Sequence, residues 1–246
     1  MLLAAGGWLV KTDTGIDLHP RFDTPDARSA AFDAMAATLL AAGWITRIRG
    51  ERYPVSTGWG QPLLATLDRS VATVFGTPSF GVHVNGLVAT ERGPLVWIAT
   101  RSATVAVSPT KKDNMVAGGL PAHLSPMANV IKEAGEEAGV PADLAAQAVP
   151  VGLVSYRMDD PKGVRRDTLF LYDLWLPADF QPVNTDGEVE RFERMDLAEV
   201  AALAADGAAC KFNIPLVLID LLIRLGAITP EDPAYSALAT GLRRPV

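Results

Sequence analysis

Residues 118–140 read GGLPAHLSPMANVIKEAGEEAGV and decide how the rest of the chain is understood. Ser125 suits an N-cap, and Pro126 suits the first helical position, where its missing N–H costs nothing. Met127, Val130, Ile131 and Ala134 recur at helical spacing and form an apolar face. Gly139 fits the left-handed position after the last turn, and Pro141 blocks continuation. Met115-Val116-Ala117 is strand-like and leads into Gly118-Gly119. The unit is therefore strand, glycine loop, helix, glycine.

Glu133, Glu136 and Glu137 stand at i, i+3 and i+4 near the end of that helix. A helix places all three on one face, within reach of one another. Like charges repel there, and the helix C-terminus is already the negative end of the macrodipole. A helix built for stability alone would carry Lys or Arg. A bound divalent cation with oxygen ligands makes the arrangement favourable, with Mg²⁺ first and Mn²⁺ as the alternative. A solvated acidic face would account for the carboxylates but not for the flanking glycines.

The chain has 246 residues, 49% hydrophobic and 20% charged, enough for one large domain or a small one joined to a medium one. A net charge of −6 with no basic run longer than two residues argues against a nucleic-acid partner. Cys210 is the single cysteine, so no intramolecular disulfide forms, and a cytoplasmic location is expected. Nothing near it in sequence would activate the thiol, so it reads as a core residue. No stretch is suited to span a membrane. Met1–Val10 is apolar but short, contains Gly6-Gly7, and lacks the basic flank and cleavage site of a signal peptide. Residues 214–225 read as an amphipathic helix, with Asp220 and Arg224 tethered as an ion pair on its outer side.

Along the chain, residues 25–43 form a helix capped by Thr24 and ended by Gly43. Strands are expected at 44–49, 51–56 and 62–66, and a short helix over 67–76. Gly76-Thr77-Pro78 is the boundary of a small N-terminal α+β domain, residues 1–78. Residues 79–246 form the second domain. Its strands are expected at 81–90, 94–101, 149–157, 167–176 and 189–196, with helices at 197–206, 214–226 and 231–241. Residues 102–114 read as a polar loop. Residues 167–176 are apolar on both faces, which marks a central strand.

The order of glycines and acids resembles the Nudix box, G-x5-E-x7-R-E-U-x-E-E-x-G-U. Gly118 takes the first position, Glu133 and Glu136-Glu137 the later acids, Gly139 the last glycine and Val140 the final aliphatic. Leu124 stands where the first Glu belongs, Lys132 where the Arg belongs, and Ala134 is small for its aliphatic slot. Lys132 keeps the charge but loses the planar fork. The resemblance implies a Nudix α/β/α sandwich, with Glu133, Glu136 and Glu137 as the metal-binding set and metal-dependent pyrophosphate hydrolysis.

Further stretches narrow the resemblance: Gly81–Gly86, Asp113–Gly119, Tyr172–Pro177, Asp186–Phe192 and Lys211-Phe212-Asn213. Together they look like the Nudix group related to the extension of fungal thiamine pyrophosphokinase. Members pair an uncharacterised N-terminal domain with a Nudix domain, and the first Glu of the box is often absent. They are similar in removing the terminal phosphate from thiamine diphosphate, with a preference for damaged or antivitamin forms such as oxo- and oxythiamine diphosphate, giving monophosphates. The loop before the box departs from the group's pattern at Val105 and Thr110, so specificity can differ. Nucleoside diphosphate derivatives such as ADP-ribose are the alternative substrates. A ligand-binding module that cleaves nothing is the second alternative, which the intact Glu136-Glu137 pair opposes.

The chemistry calls for groups beyond the box. Glu136, Glu137 and Glu188 are the catalytic candidates, and Glu188 would share a strand face with Glu190. Gly118, Gly119, Lys132, Arg101, His83 and Asn85 are the candidates for holding a small-molecule diphosphate. His123 lies in the box loop near the phosphate position. Trp59, Trp97 and Trp175 could stack on a cationic heterocycle, though a buried Trp is core by default. The apolar content permits a homodimer without marking an interface.

Overall fold

Thr24 accepts the Ala27 amide and Pro25 opens the first long helix, α1 (Pro25–Ala41). The computed structural model describes residue 2 and residues 6–245. The apolar segment Met1–Val10 therefore lies partly outside the described residues. From Leu9 the chain forms a hairpin of β1 (Leu9–Thr12) and β2 (Gly15–Leu18). After α1, β3 (Arg52–Val55) pairs antiparallel with β4 (Ala65–Asp68). A 3₁₀ turn and α2 (Ala72–Phe75) follow, ending at Gly76 with φ of 62°. Ala36, Leu39, Ile45, Tyr53, Leu67 and Val71 make one core.

The strand expected at 44–49 does not form. The Arg49 and Gly50 amides go to the buried Asp68 carboxylate instead of a partner strand. Asp68 also accepts from the Ser70 amide and hydroxyl. Burial pushes its carboxyl up, but the Ser70 and amide hydrogen bonds outweigh this and hold it below the usual range.

The second part is built on a seven-stranded sheet. Its strands are β5 (Pro78–Val88), β6 (Leu95–Arg101), β7 (Lys112–Asn114), β8 (Val116–Gly119), β9 (Val149–Asp160), β10 (Gly163–Trp175) and β11 (Val189–Met195). The order is β11-β6-β5-β10-β9, with β7 on β6 and β8 on β5. β5 and β10 run parallel, and the other pairs are antiparallel. β10 lies inside the sheet, as its two apolar faces require. The expected loop 102–114 ends in β7.

Helices cover both faces. Val130, Ala134 and Ala138 of α3 (Pro126–Ala138) pack on Val82, Val84, Tyr172 and Leu174. A short α4 (Ala142–Ala145) follows. On the other face, α5 (Leu197–Asp206) and α6 (Ile214–Arg224) pack on Leu87, Val96 and Ile98. Asp196 and Glu199 close a capping box at the start of α5. The last helix, α7 (Tyr235–Gly241), starts four residues later than expected. Pro233 disfavours helical backbone at Asp232, which instead accepts the Ala234 amide. The architecture is an α/β/α sandwich with a small α+β part before it.

The Asp220–Arg224 pair does not lie on the outer side of α6. Asp220 is buried, and Arg224 reaches inward to Asp173 on β10 as well as to Asp220. Arg243 adds a bond to the other Asp220 oxygen. The charge of Asp173 then orders a buried chain. Asn85 donates its amide to Asp173 at 2.8 Å, which turns its oxygen toward the Asn114 amide at 2.9 Å. The Asn114 oxygen therefore faces His83 Nδ1 at 2.9 Å, so the proton of neutral His83 sits on Nδ1.

Candidate active site

Two side chains tie the glycine loop to the box helix. Asn129 Nδ2 donates to the Gly119 carbonyl at 2.9 Å, and Glu137 accepts the Ala117 amide at 2.8 Å. A Cβ on Gly118 would stand 2.3 Å from Glu133 Cγ, and one on Gly119 would stand 1.6 Å from Tyr53 Oη. The two glycines thus let a box carboxylate and an N-terminal tyrosine close over the same loop. A Gly119→Ala substitution is expected to displace the buried Tyr53 and destabilise by about 1–3 kcal/mol. Adding Tyr53→Phe should recover part of that loss, read as a thermal-melting double-mutant cycle.

Tyr53, Gly118, Gly119, Glu133 and Glu137 line one cleft of about 1320 Å³. Glu133, Glu136 and Glu137 lie on one side. Arg49, Tyr53 and Arg69 of the N-terminal part contribute another wall. The loop before β11 is pinned to the acidic end of α3, because Val183 and Thr185 donate their amides to the Ala138 and Glu136 carbonyls. That brings Glu188 to the cleft. Glu190 does not line it, because the β11–β6 register shifts between Val189 and Arg191.

Burial pushes the Glu137 carboxyl well up, with Asp113 and Glu133 adding repulsion. Burial also raises Glu133, opposed by Lys132 and reinforced by Glu136 and Glu51. Lys132 bonds Glu136 at 2.7 Å and Glu133 at 3.2 Å. Its ammonium is thus engaged with the acids rather than free for a ligand.

Among the described residues, no three His, Cys, Asp or Glu side chains are already drawn together as a metal cage. The donor set still fits a hard divalent cation. It is all carboxylate oxygen, it lines one cleft, and its negative charge is only partly offset by Lys132.

The other expected ligand contacts separate. Arg101 lines the cleft, but Nη1 donates to Asp113 at 2.7 Å and Nε to the Val107 carbonyl at 3.0 Å. It holds the 102–111 loop. His83 lines the cleft but is buried and bonded to Asn114. Asn85 does not line it. Both its polar atoms are used by Asp173 and Asn114 on the α6 side of the sheet. Strand alternation is the reason: Val82 and Val84 face α3, so His83 and Asn85 face away. Gly118, Gly119 and His123 line the cleft.

Trp59, Trp97 and Trp175 do not line it. Trp59 packs edge-on against Phe80 and Phe170, Trp97 is core, and Trp175 is an exposed strand end. Tyr53, Phe80, Tyr156 and Phe212 are the lining aromatics instead. Asp113 and Lys211, bonded at 3.0 Å, and Asp167 were not singled out individually by the sequence. Lys211 was visible only as part of the Lys-Phe-Asn stretch before α6.

Burial, with Lys211 next, lowers His83 to about 4. It stays neutral in the fold, whereas an unfolded His titrates near 6.5. Between those values the unfolded chain binds more protons, so this contribution is lost as pH falls from 6.5 toward 4. His83→Asn, which keeps a donor for Asn114, should flatten the denaturation midpoint across that window relative to wild type. The difference approaches roughly 3 kcal/mol at the acid end.

Comparison with known proteins fits this geometry. A family described as a domain of unknown function, DUF4743, matches residues 8–79. Nudix hydrolase 20, chloroplastic, of Arabidopsis thaliana is 40% identical over 233 residues, covering 95% of this chain and 62% of that protein. The uncharacterized protein YJR142W of Saccharomyces cerevisiae is 31% identical over 235 residues, covering 89% of this chain and 68% of that one. The crystal structure of DR0079 from Deinococcus radiodurans superposes with a TM-score of 0.53 at 19% identity, covering 68% of this chain and 97% of that one. The fold and its acidic helix define a Nudix-type sandwich. The chain is similar to Nudix hydrolases over nearly its whole length. It spans 62% of the length of the two plant relatives.

Proposed function

We propose that this chain hydrolyses a phosphoanhydride bond of a small diphosphate, with thiamine diphosphate or its oxidised and antivitamin analogues as first-choice substrates and monophosphates as products. One observation carries this: the three box carboxylates line a large cleft whose other walls carry Arg49, Arg69 and Lys211. Glu133, Glu136 and Glu137 would hold Mg²⁺, which supplies charge neutralisation and an acidified water. Lys132 would release two of these carboxylates when the cation arrives. Glu188 or one of the box acids would accept the proton of the attacking water. Arg49, Arg69 and Lys211 would bind phosphoryl oxygens, and the burial of Glu137 would strengthen charge contacts beside it.

We place the hydrolytic domain at residues 79–246 and treat residues 1–78 as the unit that closes the cleft. The single buried Cys210 supports a reducing compartment, the cytoplasm, while the plant relatives are named as chloroplastic. Among the described residues, no helix is long and apolar enough to cross a membrane. The test is turnover at saturating Mg²⁺, read as monophosphate product by chromatography, of thiamine diphosphate, oxythiamine diphosphate, ADP-ribose and deoxynucleoside triphosphates. Faster turnover of the thiamine compounds supports the assignment. Turnover of nucleotides alone leaves the hydrolase and removes the substrate.

A further inference from the structure

We propose that the Tyr53 hydroxyl donates a hydrogen bond to a phosphoryl oxygen of the bound diphosphate, so that the N-terminal part of the chain supplies a substrate-binding residue to the hydrolytic site. This deepens the proposed hydrolase function and rests on it. Tyr53 lies on β3 and lines the cleft together with Arg69, Gly119 and Glu133.

The ring of this tyrosine is fixed, while its hydroxyl is free. Tyr53 is only 8% exposed and packs with Ala36, Leu39, Leu67 and Val71. The neighbouring Arg52 carbonyl accepts the Ala122 amide at 2.8 Å, which ties β3 to the box loop. The hydroxyl therefore enters that loop at a set position. A Cβ on Gly119 would fall 1.6 Å from Tyr53 Oη, so the hydroxyl fills the place of a Gly119 side chain. The Gly119 carbonyl is already taken by Asn129 at 2.9 Å. Among the described residues the Tyr53 hydroxyl makes no hydrogen bond. Trp97 Nε1, Asn129 Oδ1, Glu193 Oε1 and Asn213 Oδ1 are sealed from solvent without a partner, but the Tyr53 oxygen is not one of these. It opens on the cleft that the residue lines. A phenylalanine would pack the same core without an unpaired polar atom. A hydroxyl kept there without a protein partner points to a partner that binds.

The surroundings select an anion. Arg69 lies 5.6 Å over the Tyr53 ring and is held in place by Glu51. Its guanidinium is within the field of both Tyr53 and Glu133. Burial, the main cause, pushes the Tyr53 hydroxyl up to about 12, so it keeps its proton. An anionic phosphoryl oxygen has lone pairs and no proton, which complements a hydroxyl that keeps its own. The spacing fits one small diphosphate. Glu133 stands against Gly118, and Tyr53 stands against Gly119, the next residue. A diphosphate anchored at the box acids thus has this hydroxyl one residue away along the glycine loop.

Tyr53→Phe removes the hydroxyl and keeps the ring. Calorimetric titration of the full chain with inorganic pyrophosphate in Mg²⁺ should show binding weakened about tenfold or more in the variant. Its kcat/KM for thiamine diphosphate should fall about ten- to a hundredfold. Thermal melting of the ligand-free variant in EDTA should match or exceed that of wild type, a readout that separates ligand contact from a structural role. Equal affinity and equal turnover in the two chains would leave the hydroxyl to solvent and overturn the proposal. An early melt of the ligand-free variant would overturn it too, by making the hydroxyl structural. So would a wild-type chain that does not bind pyrophosphate. The titration needs no turnover: Tyr53-dependent binding in a chain that yields no monophosphate would remove the hydrolase function and leave the anion contact standing.

Discussion

Glu137→Gln is expected to remove Mg²⁺-dependent hydrolysis while leaving the metal-free fold at least as stable as wild type. The two halves of this result have one cause. Glu137 is buried at the end of the box helix, beside Glu133 and within the field of Asp113. Ionising it there is unfavourable, which is why burial raises its carboxyl so far. A glutamine keeps an oxygen for the Ala117 amide, now 2.8 Å from the carboxylate, and removes the charge. The apo fold loses a repulsion, but a cation loses a ligand. If that ligand contributes about 4 kcal/mol to the transition state, the rate falls about 10³-fold. Phosphate release and thermal melting in EDTA measure the two halves. Full activity in the variant, or a large drop in its melting temperature, would make Glu137 a structural acid.

The second large effect lies away from the cleft. Arg224→Met should destabilise by about 3–5 kcal/mol, because it leaves Asp173 and Asp220 buried with their main cation removed. For a chain of this size that is roughly a 10 °C fall in melting temperature. Asp220 retains Arg243 at 2.6 Å, so Asp173 is the more exposed to the loss. Restoring neutrality with Asp173→Asn in the Arg224→Met background should recover part of it. The same change frees the Asn85–Asn114 chain to flip, and nitrogen chemical shifts of His83 would then report a mixture of ring tautomers.

What the sequence disclosed follows the range of the interactions involved. The box helix was legible because its signals are local. Ser125 accepts the Ala128 amide, Pro126 opens the helix, and Gly139 ends it with φ of 62°. The 197–206 helix was legible for the same reason, through Asp196 and Glu199. The failures are non-local. Residues 44–49 carry a strand-like pattern, but Asp68, nearly twenty residues on, captures the amides at its end. Arg224 has a neighbour at i−4 that suggests a surface pair, and its decisive partner is 51 residues away on β10. His83 and Asn85 share a face, as alternation required, but which layer that face meets depended on the packing of α3 and α6. Of the cleft's lining, the three acids and the glycine pair were readable. The wall carrying Arg49, Tyr53 and Arg69 required the fold.

The most direct measurement is phosphate release from thiamine diphosphate by the full chain in Mg²⁺, after EDTA, and after Mg²⁺ is restored. Release that stops with EDTA, returns with Mg²⁺ and is missing from Glu137→Gln is the predicted result. Release indifferent to EDTA, or equal in the variant, would contradict a metal-dependent centre on Glu133, Glu136 and Glu137.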